Sequence, residues 1–444
     1  MNRRDWIRSL GLGTLATSAA ALPSASAFAA PSPASRSMDL VKITRVRAFA
    51  TRPNKVNLIV VKVETSEPGL YGLGCATFTQ RPTPVLAAVA DFLDPFARGR
   101  DVSNIEDLWQ NAYTSSYWRN GPVLNNALSG LDMALWDIQG KRAGMPVYQL
   151  LGGKCRFAVD CYSHASGRDL KEVEDSVRSK LEQGFRHVRI QMGSYGSEHL
   201  STRSDFKDAG FGMPQDRLME SQPYIKATLK MFEHVRNVFG DEPELLHDVH
   251  ERIEPRDAIR FLKELEKYRP FFIEDPLPPE ANDYFRQMRA ATTVPIAMGE
   301  LFNSPHEWIP LIKDRLIDFI RVHLSQTGGF SVARKIATLA EMFNVRSAWH
   351  GPGDVSPVGH AANFHLDLAI HNFGIQEYSP FNDATQDIFS GCPTLKNGYV
   401  SVNEAPGWGV DFNEEAAKKY PIDKPERPAY WDPVRRRDGT AVRP

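Results

Sequence analysis

From residue 157 onward, short apolar runs alternate with longer amphipathic ones. The apolar runs are FAVDCYSHA, FRHVRIQMG, ELLHDVH, FFIEDP, PIAMGE, FIRVHLS, VRSAWHG and FGIQEY. Helix-like segments such as PRDAIRFLKELEKY and GFSVARKIATLAEMF lie between most of them. Apolar strands joined by amphipathic helices predict βαβ units and a parallel sheet. A polar residue marks the end of each run: Tyr162, Arg189, Asp248, Glu274, Glu300, His323, His350 and Glu377. The steps between these markers are 27, 59, 26, 26, 23, 27 and 27 residues. Eight strands at this period predict an α/β fold, a closed (β/α)8 TIM barrel over 156–380. The long step holds SYGSEHLSTRSDFKDAGFGMPQD, a polar insertion suited to a lid or substrate loop.

The stretch 41–155 has another texture. KITRVRAFATR and KVNLIVVKVETS alternate as antiparallel strands do, while PVLAAVADFLDPFARG and NNALSGLDMALWDIQGKRAG read as helices. This predicts an N-terminal α+β domain. Residues 381–444 carry no barrel period and are expected to pack back on that domain.

The first 30 residues have a different purpose. Arg3 and Arg4 precede a mildly apolar stretch, and Ala25, Ala27 and Ala29 offer a small-residue cleavage zone. The arginine pair predicts a twin-arginine signal, a route that carries folded proteins, and hence a periplasmic or exported protein. Residues 31–40 read as a linker.

Composition narrows the function. Of 444 residues, 42% are hydrophobic and 24% charged, which is enough for a large core. A net charge of −1 argues against nucleic acid as a partner. No apolar run in the body approaches a membrane span. Cys75, Cys155, Cys161 and Cys392 show no zinc or C-x-x-C spacing and are expected as four buried free thiols. Trp118 is expected in the core, and Gly328 and Gly329 in a turn. No phosphate-binding glycine motif supports a nucleotide.

Polar residues at the C-terminal ends of barrel strands are where this fold places its chemistry. Asp248, Glu274 and Glu300 end three consecutive strands, which lie about 4.8 Å apart, so their carboxylates can converge. Converging carboxylates need a cation, and an all-oxygen set favours Mg²⁺. His250 lies two residues past Asp248 and would share its face in an extended chain. His350 is a second acid or base candidate, and Glu377 a candidate for binding substrate hydroxyls.

HDVHERI, FFIEDPLPPE, PIAMGELFNS, HGPGDVSPV and NFGIQEY resemble the barrel motifs of the enolase superfamily, mandelate racemase group. The likeness is strongest to mannonate dehydratase-like acid-sugar dehydratases. WRNGPVLNNALSGLDMALWDIQGKRAGMPVYQLLGG is similar to the first domain of the same group. The resemblance runs from about Val41 to about Gly439 and implies a capping α+β domain on a modified barrel. It further implies Mg²⁺ on Asp248, Glu274 and Glu300, removal of the proton next to a carboxylate, a metal-stabilised enediolate, and His250 as the acid for a departing hydroxyl. The implied reaction is dehydration of an aldonate such as mannonate, gluconate or galactonate to a 2-keto-3-deoxy acid.

Several positions depart from the family pattern. Arg189 and Gln191 stand where many relatives have a lysine pair. Mannonate dehydratases pair such an Arg with a Tyr base twelve residues on; here Ser201 occupies that place and Tyr195 is the nearest Tyr. His323 replaces the Asp of a His–Asp dyad, Thr79 an Asn, and the terminal DGT runs into AVRP rather than Trp. Arg189 with Tyr195 is therefore the expected proton-abstracting side. His323, Arg119 and Thr79 join Glu377 as substrate contacts. An epimerase on the same scaffold, or a sugar-acid binding protein with a decayed site, are the alternatives. The expected partners are a sugar-acid substrate and further copies of the chain.

Overall fold

Period-two alternation in eight short strands builds the centre of the molecule. The computed structural model describes residues 40–193, 217–422 and 434–443. Val41–Pro444 form one unit by their contacts. The barrel strands are Val159–Gly167, His187–Met192, Glu244–Asp248, Phe272–Glu274, Ile296–Met298, Phe319–Ile320, Arg346–Ser347 and Gln376–Glu377. Each pairs in parallel with the next through the seventh. The eighth pairs with the first, and a Ser347–Phe373 bridge joins the seventh to the segment before the eighth, closing the ring.

Alternate residues point in and out. Tyr162, Leu246, Phe272, Ala297, Phe319, Ala348 and Ile375 form a buried cluster of their own, the apolar floor inside the barrel. Val188, Ile190, Ile273, Met298, Ile320 and Trp349 join the larger core outside, with the helices. Two residues beyond the floor, the inward set is His164, Asp248, Glu274, Arg321, His350 and Glu377. The same alternation that buries the floor thus raises a polar layer above it. Tyr162, read from sequence as a strand-end marker, belongs to the floor: its strand continues to Gly167.

The first domain is a three-stranded antiparallel sheet, Ile43–Thr51, Leu58–Thr65 and Tyr71–Cys75, backed by the helix Pro122–Ala143. Sheet and helix approach closely because glycines meet there: a Cβ on Gly74 would lie 2.0 Å from the Gly130 carbonyl oxygen. The third strand was not legible, since YGLGC has little alternation.

The same helix ties this domain to the barrel. Asp132 accepts from the backbone N–H of Ser331 at 2.9 Å and from its hydroxyl at 2.5 Å. Trp136 Nε1 donates to the Ser331 hydroxyl at 2.9 Å. Gly328 and Gly329 form the turn before the helix Phe330–Met342, both at positive φ.

The C-terminal residues divide between three sites. Tyr399–Ser401 extends the barrel sheet antiparallel to the first strand. Glu414 meets Lys62 at 2.7 Å on the first domain. The hairpin Val434–Arg435 and Ala441–Val442 pairs instead with Arg217–Leu218. Cys75 and Cys161 are buried free thiols, but Cys155 is exposed and Cys392 half-buried, against the expectation of four buried ones. Among the described residues no helix is long and apolar enough to cross a membrane.

Candidate active site

Two arginines hold the carboxylates of the polar layer. Fully buried Arg321 places Nε 2.5 Å from Glu274 and Nη2 2.6 Å from Glu377. Arg189 Nη1 lies 3.2 Å from Asp248, 3.6 Å from Glu274 and 3.8 Å from Glu377. Asp248 and Glu274 stand at the same register level of adjacent strands. Glu377 also meets His164 Nε2 at 2.6 Å and accepts the Gly351 N–H at 2.9 Å. Burial opposes the charge of Glu377, but Arg321 and then His164 outweigh it and hold this carboxyl well below its usual range.

Glu274 is the opposite case. Its burial outweighs the help of Arg321, Asp248 adds repulsion, and the carboxyl is pushed up to about 8. Asp275 is raised well above its ordinary value by burial and by Glu274 beside it. Among the described residues, Glu274, Asp275 and Glu300 can each bring an oxygen within 4.8 Å of the others. Asp248 is not in that tightest group. One of its oxygens accepts the His250 N–H at 2.7 Å and the other faces Arg189. Glu274 and Asp275, buried and driven toward the neutral form, suit a divalent cation, whose charge would favour their ionised state, while Glu300 is held ionised against its burial by His350.

His350 Nε2 is 3.2 Å from Glu300. Burial disfavours a charged imidazole, but Glu300 overrides it and raises His350 to about 9. The His323 ring centre lies 5.0 Å from that of His350. Burial, with His350 adding to it, takes His323 down to about 3. The pair therefore divides into one charged and one neutral imidazole. Glu300 supplies the carboxylate partner that the missing strand-end Asp left unaccounted for.

A cavity of about 480 Å³ opens over Glu300, Asp275 and these histidines. Phe78, Gln80, Arg81 and Pro122 wall it from the first domain, and Val434 and Val442 from the C-terminal hairpin. His250, Glu251, Leu301, Asn303, Gln326 and Asp354 complete the barrel side. His250 is in the cavity, but not by strand alternation: His250 and Glu251 have φ of 54° and 53°, in the left-handed region. Such backbone costs about 1–3 kcal/mol per residue and persists where the surroundings impose it.

The other expected residues fall as follows. Thr79 turns away from the cavity, its hydroxyl donating to the Asn57 carbonyl at 3.2 Å. Arg119 is exposed and borders a separate cavity within the first domain. Trp118 is 81% exposed, not in the core. Glu377 is fully buried among its protein partners and does not line the cavity. Arg189 is held among carboxylates, and a guanidinium there stays protonated. Tyr195, Ser201 and the insertion around them lie outside the described residues, as do the N-terminal signal and most of the linker. Arg321 and His164 were missed, although each stands two residues past a floor residue and was open to the alternation rule.

Residues 39–152 match the family model described as the mandelate racemase / muconate lactonizing enzyme N-terminal domain. Residues 172–416 match the enolase C-terminal domain-like model. A D-galactonate dehydratase family member of Musicola paradisiaca is 50% identical over 419 residues, covering 92% of this chain and 100% of the relative. A further family member, from Salmonella enteritidis, is 49% identical over 416 residues, covering 91% of this chain and 99% of the relative. The crystal structure of an enolase from Pantoea ananatis, with bound D-gluconate and Mg, is 49% identical. It covers 91% of this chain and 100% of its own, with a TM-score of 0.86.

Proposed function

Because the chain belongs to the mandelate racemase / muconate lactonizing enzyme group of the enolase superfamily, among its acid-sugar dehydratases, we propose that it removes water from an aldonate. The reading is supported above all by one observation: crowded carboxylates, an ion-paired histidine and His250 meet at one cavity on the C-terminal side of the barrel. That a 49%-identical structure holds D-gluconate and Mg favours gluconate or a close relative as the substrate.

Asp248, Glu274 and Glu300 would hold Mg²⁺, with Asp275 adjoining them. When bound, the ion supplies a Lewis acid that favours the charge developing on a substrate carboxylate. The chain's own residues handle the protons. His350 faces the cavity from the seventh strand end and, in the neutral form that Glu300 would allow once its charge is shared with a metal ion, takes the proton at C2. His250 faces it from the third and gives a proton to the hydroxyl leaving C3. The balance is loss of one water and formation of an enol that becomes the 2-keto-3-deoxy acid. Arg189 and Arg321 keep the carboxylates in place while charge moves. A positioned acid or base contributes typically 10²- to 10⁴-fold.

The test is incubation with Mg²⁺ and a panel of aldonates in D₂O. Keto-acid formation is expected. Deuterium at C2 with retention of the hydroxyl would replace dehydration by epimerisation, and binding without either would leave a binding protein. His250→Gln should lose product while still exchanging the C2 proton; loss of both would remove His250 from the role of acid. Arg3 and Arg4 support export of the folded chain through a twin-arginine route, which fractionation with an Arg3→Lys/Arg4→Lys variant tests.

A further inference from the structure

Gln326 follows the sixth barrel strand and lines the cavity, with its side-chain orientation set from the other domain. The chain of contacts starts at a backbone carbonyl. Asn126 Nδ2 donates to the Pro122 oxygen at 2.7 Å. A carbonyl can only accept, so the Asn126 amide is fixed with its NH₂ on that side. The same NH₂ donates to Gln326 Oε1 at 3.1 Å. Gln326 must therefore present its oxygen to Asn126 and its NH₂ elsewhere. Among the described residues the Gln326 NH₂ has no protein acceptor, whereas its oxygen does.

The loop itself is pinned by the neighbouring residue. Asn125 Nδ2 donates to the Gln326 carbonyl at 2.8 Å and to the Asn303 carbonyl at 3.0 Å. Asn125 and Asn126 are almost fully buried on the helix Pro122–Ala143. Consecutive asparagines on a first-domain helix thus fix both the backbone and the side-chain amide of a cavity residue. Half of the other polar groups on the barrel side, Glu251, Asp275, Glu300 and Asp354, are carboxyls, beside three histidines and Asn303. A fixed neutral N–H donor among them is placed for an acceptor oxygen without adding charge.

We propose that Gln326 is a specificity-determining residue that donates its side-chain N–H to a hydroxyl oxygen of the sugar acid, and that Asn126 is the positioning residue that orients it. This rests on the aldonate reading above. Gln326 discriminates between aldonates by the presence and configuration of one hydroxyl, as sites built to hydrogen-bond a hydroxyl do.

The experiment measures D-gluconate binding with Mg²⁺ by calorimetry, and KM and kcat on whichever aldonate is turned over. Wild type is compared with Gln326→Met, Gln326→Glu and Asn126→Asp. Met keeps the volume and removes the donor. Asp at 126 can only accept when ionised, so it turns the Gln326 amide over and offers an oxygen to the cavity. Expected is weaker binding and a higher KM by about 3- to 10-fold in each variant, with kcat much less changed. If Asn126→Asp fails to fold, the two Gln326 variants decide. Unchanged KM and affinity in Gln326→Met and Gln326→Glu, with wild type binding gluconate or another aldonate, would overturn this assignment alone. Failure of wild type to bind any aldonate would overturn the underlying reading and the assignment with it.

Discussion

His350 Nε2 stands 3.2 Å from the Glu300 carboxylate, at the edge of the cavity where neither is fully hidden from solvent. Without metal this pair couples stability to pH. The His350 value in the folded chain, about 9, exceeds its ordinary 6.5. Folding therefore favours the protonated ring. The contribution is fully present below pH 6.5 and is lost as pH rises through about 9. In the metal-free protein the thermal midpoint should fall across that window. His350→Gln should flatten the slope, and an unchanged slope would place its origin elsewhere.

Mg²⁺ affinity separates the candidate third ligands. Asp248→Asn should weaken binding by about 100-fold and abolish turnover, whereas Asp275→Asn should weaken it by about tenfold. Calorimetric titration reads both directly. The reverse order would make Asp275, which lies closer to Glu274 and Glu300, the ligand.

Removing Arg321 leaves two carboxylates buried without their main cation. Arg321→Met should cost about 3–5 kcal/mol in urea unfolding, because breaking one side of a buried ion pair strands the other. A loss below about 1 kcal/mol, the range of a surface pair, would show that the layer relaxes around the change.

Gly329 tests the joint between the domains. Its φ is +110°, and a Cβ would lie 2.6 Å from Asp132 Oδ2. Gly329→Ala should destabilise by about 1–3 kcal/mol. Disturbing the Asp132–Ser331 contact should also raise KM, since the helix carrying Asp132 also carries Asn126. Full stability by urea titration would contradict the crowding.

The barrel was legible because its floor and outer faces obey a two-residue alternation that short apolar runs display openly. Asp248, Glu274 and Glu300 could be found because each directly follows such a run. Arg321 and His164 were lost for a related reason. The sixth run was read to His323, so the inward residue before it went unnoticed, and Tyr162 drew attention from His164. Thr79 was placed by likeness to a motif and Arg119 by its position just before a predicted helix, yet a side chain in a loop can turn either way, and neither lines the cavity. The Asn126–Gln326 contact joins residues 200 positions apart and has no local signature.

Phe78, Gln80, Arg81 and Pro122 belong to one domain, while the carboxylates and histidines belong to the other. Selection can therefore act on these two sets of residues separately. Substitutions in the short segment 78–81 can change which acid sugar is accepted without disturbing the proton-transfer groups. Lineages sharing this barrel would then diversify by altering their first domain, and directed evolution toward a new sugar acid is best begun there.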